Sequence, residues 1–125
     1  MIMMKKFSLV FISIFLLFFT LLFMIPKYAM GGCKDEKPAG IPVITSAVPS
    51  DGAVTLTWTE AADPVSYYLV AYGTARGVFE YGNPNVGPKG TTTYTVTGLK
   101  NGARYYFRVR AGNGCRPGNF SDTVS

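Results

Sequence analysis

The chain has 125 residues, 12 Lys/Arg against 7 Asp/Glu for a net charge of +5, no histidine and two cysteines. Without imidazole, Ser-His-Asp and Cys-His catalysis and His-based metal sites are excluded, and two thiols are too few for a zinc site built on cysteine alone. From Gly31 onward nine Lys/Arg meet seven Asp/Glu, a remainder of +2, so this part lacks the strongly basic face that nucleic-acid binding requires.

Met1–Lys6 is a short basic start. Phe7–Ile25 follows without a charge, interrupted only by Ser8, Ser13 and Thr20, and ends at Pro26-Lys27. Nineteen consecutive positions of this kind, at about 1.5 Å each, nearly cross a hydrocarbon core of about 30 Å, so the segment reads as a membrane-targeting hydrophobic helix. It is either a signal peptide cleaved near Ala29-Met30-Gly31, where small residues occupy both specificity positions, or an uncleaved anchor. A third reading is lipid attachment at Cys33, because Met30-Gly31-Gly32-Cys33 partly resembles the lipoprotein box of bacteria. Lys5 and Lys6 hold the N-terminus inside for the signal peptide and the anchor alike, which leaves everything after Lys27 outside the membrane.

Residues 31–40 include the charged, Pro- and Gly-bearing stretch Cys33–Gly40 and read as a linker. Beyond it, four segments alternate with a period of two. Gly52–Thr59 sets Val54, Leu56 and Trp58 against Thr55, Thr57 and Thr59; Val65–Gly73 sets Tyr68, Val70 and Tyr72 against Tyr67, Leu69 and Ala71. Thr91–Thr97 turns Tyr94 and Val96 inward, and Ala103–Ala111 sets Tyr105, Phe107, Val109 and Ala111 against Arg104, Tyr106, Arg108 and Arg110. A last run, Asn119–Ser125, follows the turn cluster Gly112–Gly118. Glu60–Pro64 and Gly82–Gly90 (GNPNVGPKG) read as loops. Strands with one buried face, punctuated by Gly, Pro and Asn and with no helical period after Pro26, predict an all-β, antiparallel sandwich of about seven strands.

Pro42, the strand ending Leu56-Thr57-Trp58, the run Tyr68–Gly73 and the stretch Gly98–Asn113 (GLKNGARYYFRVRAGN) resemble a fibronectin type III domain, an immunoglobulin-like sandwich, over Ile41–Ser125. Ser121 falls where that family often has a serine opening its last strand. The resemblance implies that Trp58 is the central core tryptophan and Tyr105 the corner tyrosine, its hydroxyl bonded to backbone near Leu99. Tyr68, Val70, Tyr72, Leu99, Phe107 and Val109 complete the expected core. In the family's topology the N-terminus and the loop between the last two strands lie at the same end. Cys33, on a tether reaching roughly 26 Å at about 3.3 Å per residue, is thereby brought within range of Cys115. An exported compartment favours a Cys33–Cys115 disulfide; the alternative is a lipidated Cys33 and a free Cys115.

Tyr67, Leu69, Tyr106, Arg108 and Arg110 form a Tyr/Arg-rich outward face, the residue types of protein–protein hot spots; a solvated face with arginine stems over tyrosine rings is the plainer reading. Ala75-Arg76-Gly77-Val78 lacks the Asp of an Arg-Gly-Asp motif. Glu60, Asp63 and Glu80 sit in or near loops without a supporting cleft, and no phosphate loop, zinc motif or EF-hand is present in the sequence. No catalytic residue, metal site or cofactor is expected. The leading functional reading is a secreted or membrane-anchored, extracytoplasmic interaction or spacer module, whose partner is a protein or a surface glycan. Two others stay open: an accessory domain at the start of a longer exported carbohydrate-active enzyme, and a ligand-free structural protein tethered to the membrane.

Overall fold

Apolar residues at every second position pair into two antiparallel sheets in the computed structural model, which describes residues 31–125. The targeting segment at 1–30, and the helix expected there, lie outside the described residues. Cys33–Ser125 forms one compact unit. Its strands are β1 (Ile44–Ser50), β2 (Ala53–Trp58), β3 (Tyr67–Gly73), β4 (Tyr81–Pro88), β5 (Thr93–Val96), β6 (Tyr106–Asn113) and β7 (Arg116–Pro117). They form a three-stranded sheet, β1-β2-β5, and a four-stranded sheet, β4-β3-β6-β7. This is the all-β sandwich that the alternation implies.

The core lies between the sheets. Leu56 and Trp58 from β2, Tyr68 and Val70 from β3, Val96 from β5, and Phe107, Val109 and Ala111 from β6 are buried, with Tyr68, Leu56 and Val109 at 0% exposure. Tyr72, Leu99 and Tyr105 pack against this cluster while remaining half-buried. The Trp58 indole tilts against the Tyr68 ring at 5.8 Å between centroids. Burial at this level, at roughly 25 cal/mol per Å² of apolar surface, is what holds the two sheets face to face. Two core tyrosines, Tyr68 buried and Tyr105 half-buried, place their hydroxyls on backbone: Tyr68 Oη accepts from Ala61 N–H at 2.9 Å, and Tyr105 Oη from Lys100 N–H at 2.9 Å. The second contact is one residue from where the family resemblance puts it.

The structure differs from the sequence reading at Gly82–Gly90. Most of this expected loop belongs to β4, which pairs with β3 across a register shift between Tyr68 and Val70. Pro84 and Pro88 are tolerated because β4 is an edge strand, where a missing N–H breaks no ladder on the outer side. Asn83 and Asn85 side chains hold the irregular stretch by accepting from Asn85 N–H and Gly87 N–H. The last run, after β7, returns along β6: Gly118 N–H donates to Ala111 O, Ser121 N–H to Val109 O and Val124 N–H to Phe107 O. Ser121 is buried and its hydroxyl accepts from Val109 N–H at 3.0 Å.

Cys33–Gly40, expected as a linker, packs along the domain. Pro38 is buried, Gly40 N–H donates to Ala62 O, Asn113 Nδ2 donates to Glu36 O, and Lys37 Nζ donates to Asn119 Oδ1. A disulfide joins Cys33 to Cys115, with Cα atoms 5.7 Å apart and a separation of 82 positions in sequence. Cys115 sits in the two-residue turn between β6 and β7, which Gly114 makes at φ +52°. There Asp35 Oδ2 accepts from Cys115 N–H at 3.0 Å. A side chain on Gly114 would meet that carboxylate.

Candidate functional site

Residues that alternate away from the core fall on the outer face of the four-stranded sheet. Register places Tyr67 opposite Gly112, Leu69 opposite Arg110, Ala71 opposite Arg108 and Gly73 opposite Tyr106. All five residues of the sequence-predicted surface, Tyr67, Leu69, Tyr106, Arg108 and Arg110, are therefore on this face, and each is half-buried. They do not form one continuous cluster of the same kind. Tyr67 lies over Gly112, whose missing side chain leaves room for the ring. The two arginines are organised by residues from elsewhere.

Arg108 is sandwiched. Its Cζ lies 3.8 Å from the centroid of Phe79 on one side and 3.8 Å from that of Phe120 on the other. Arg110 stacks on the same Phe120 ring at 4.4 Å. The result is a ladder, Phe79–Arg108–Phe120–Arg110, in which each guanidinium meets the negative face of a ring. Phe79 reaches it because Gly73 lets the Val78 backbone come close; a Cβ at Gly73 would collide with Val78 O. Phe120 reaches it because the neighbouring Ser121 turns inward, which directs Phe120 outward.

Sequence reasoning missed both phenylalanines. Phe120 carried a usable signal, since an inward Ser121 in an extended run fixes its neighbour on the opposite face. Phe79 carried none, because it belongs to no alternating segment.

The electrostatics of the ladder are unusual for a surface. Arg108 and Arg110 share one ring, and neither is in an ion pair among the described residues; the one ion pair there is Lys89–Asp63, on a different part of the domain. Burial first, and then the like charge of Arg110, hold the Arg108 pKa below the usual arginine value. The Nε atoms of both arginines are covered and find no hydrogen-bond partner among the described residues. Two cations are thus held side by side by aromatic rings, without an ion-pair partner among the described residues.

Other concavities carry less chemistry. A cavity of about 400 Å³ opens beside β1 and is lined by Ala47, Pro49, Val54, Tyr105, Phe107 and Arg104 among others, with Arg104 its one charged side chain. A smaller one of about 120 Å³ lies at the Tyr106 end of the ladder, between Arg76 and Thr123. Among the described residues, Cys33, Asp35 and Cys115 form the one group of three metal-ligating residue types, and its two sulfurs are bonded to each other. No nucleophile, base and acid are assembled for a reaction among these residues.

The fibronectin type III domain family model matches residues 36–125. Tenascin-R of Homo sapiens is 32% identical over 79 residues, 63% of this chain and 5% of the relative. A Kelch domain-containing protein of Saccharolobus solfataricus is 40% identical over 75 residues, 58% of this chain and 9% of the relative. The chain therefore spans less than a tenth of the length of either relative. Among solved structures, a Fn3-like protein from Clostridium thermocellum superposes with a TM-score of 0.55 and 28% identity, covering 70% of this chain and 90% of that one. The chicken CNTN1 FN1-FN3 domains give a TM-score of 0.58 at 20% identity over 70% of this chain and 31% of that one, a likeness of fold. With the paired sheets, buried Trp58 and the Tyr105 hydroxyl on the Lys100 amide already in place, the match makes the chain a member of the fibronectin type III domain family.

Proposed function

We propose that this chain is an extracytoplasmic interaction module that meets its partner with the outer face of the four-stranded sheet. The observation that carries the reading is the Phe79–Arg108–Phe120–Arg110 ladder, whose guanidiniums lack an acidic partner among the described residues. Holding two like charges together costs free energy that a purely structural face would not spend. Aromatic and arginine side chains together are also the composition of binding hot spots. The outside location rests on the basic start and uninterrupted apolar stretch at 1–30, together with a disulfide that an oxidising compartment favours. A spacer role is compatible with the same fold, and the small share of each long relative that the chain spans favours a modular use of this domain.

The test compares the exported protein with two variants for binding to intact envelopes of the producing cell. Arg108→Ala/Arg110→Ala should lose binding, whereas Thr55→Ala/Thr95→Ala, on the opposite sheet, should keep it. Equal binding by all three proteins would remove this face as the contact surface. Absence of binding by the unmodified protein would leave the spacer role alone.

A further inference from the structure

Resting on the reading of this face as the contact surface, we infer that its partner is a protein segment in extended conformation carrying carboxylates at alternate residues, laid along β6 so that each carboxylate meets one guanidinium. Arg108 and Arg110 are two residues apart on one strand, a repeat of about 6.8 Å, and two positions of any extended peptide repeat at the same interval. Phe120 stands between the two guanidiniums and keeps them from collapsing onto one acceptor. Because each Nε is covered, the terminal nitrogens are the donors that a partner can reach, and a fork of two N–H groups is matched by a carboxylate.

The surroundings favour a peptide over a polyanion. Arg76 adds a cation at the small cavity next to Tyr106, Lys37 reaches Asn119 beside Phe120, and the part of the chain from Gly31 onward is close to neutral. A polyanion gains affinity from many cations spread over a long track, which these few do not supply. Tyr106, Leu69 and the two phenylalanines instead border the guanidiniums with apolar area that excludes water, the setting in which a charged pair between proteins gains strength.

The experiment follows the arginine Nε–H resonances of the isotopically labelled, exported protein during titration with three probes. The first is a capped heptapeptide alternating Thr and Glu; the second has the same composition with its three Glu contiguous; the third is a heparin tetrasaccharide. Binding of the alternating peptide should move both the Arg108 and Arg110 signals and be about tenfold tighter than that of the contiguous one. Arg108→Lys, which keeps the charge but loses the planar fork, should weaken it by about tenfold, the worth of a hydrogen bond to a charged group. Equal affinity for the two peptides, or tighter binding of the tetrasaccharide, would overturn the inference. If the envelope binding described above still depends on Arg108 and Arg110, that result removes the alternating-carboxylate partner and spares the contact surface. If envelope binding is also indifferent to the arginines, both fall.

Discussion

The two sheets share one core and one period, yet their outer faces are chemically opposite. On the three-stranded sheet the outward residues of β2 and β5 are threonines, in register as Thr55 with Thr95 and Thr57 with Thr93. The hydroxyls of Thr55, Thr95 and Thr93 are engaged within the sheet. Thr55 Oγ1 and Thr95 Oγ1 lie 2.9 Å apart, Thr93 Oγ1 donates to Leu56 O, and Thr45 Oγ1 donates to Thr57 O. The four-stranded sheet carries arginines and aromatics in the equivalent positions, and its Nε donors are covered without being used. Both faces suit a strand, since β-branched and aromatic residues alike pack on a pleated surface. Strand propensity therefore says nothing about which face has chemistry to spare; hydrogen-bond satisfaction does.

The largest effect should come from the core that the faces share. Trp58 is 2% exposed on β2 and touches Tyr68 of the opposite sheet. Trp58→Ala should cost about 3–5 kcal/mol in denaturant unfolding, by lost burial and the cavity left behind. It should lower amide protection in both sheets together. Protection lost from β1, β2 and β5 alone would mean that the sheets are not coupled through this side chain.

Next in size is the covalent tie, which the four-stranded sheet has and the three-stranded sheet lacks. Replacing Cys33 and Cys115 together by serine opens a loop of 82 positions and should cost about 2–4 kcal/mol. The loss should be accompanied by fast amide exchange in Cys33–Gly40 and β7, because only a few hydrogen bonds then hold the strap at Asp35, Glu36 and Lys37. Unchanged exchange in the strap would show that those bonds suffice without the disulfide.

The inward half of the fold was legible because a period of two in Gly52–Thr59, Val65–Gly73 and Ala103–Ala111 reports burial directly. What the pattern hid has physical causes. β4 reads as a loop because its prolines and asparagines are poor strand formers, and only its place at the sheet edge makes them acceptable. Cys33–Gly40 reads as a linker because its charges suit solvent, whereas the structure uses its backbone and Pro38 against the β6–β7 end. At the candidate site the arginines were visible on their strand. Their ordering was not, since Phe79 and Phe120 come from segments 29 and 12 positions away and meet Arg108 only in the folded sandwich. A face can be read from alternation; a stack across it cannot.

The smallest effects bear most directly on the contrast between the faces. Thr55→Val replaces a hydroxyl paired with Thr95 by a methyl of similar shape and keeps strand propensity. Thr95 is exposed and turns to water, so the expected loss is below about 1 kcal/mol. Arg108→Met keeps an unbranched side chain between two phenylalanine rings and exchanges the cation for a sulfur that also favours aromatic contact. It removes the like charge beside Arg110 and one covered, unpaired Nε, so stability should stay within about 1 kcal/mol or rise. Unfolding in urea of both variants beside the unmodified protein decides the point. If Arg108→Met costs more than Thr55→Val by about 1.5 kcal/mol or greater, the ladder stabilises the sheet in its own right and its cations need no partner to account for them. If Arg108→Met is neutral or stabilising while contact with the partner is lost, the sandwich retains a charge that its own fold does not require, and the reason for it lies outside the domain.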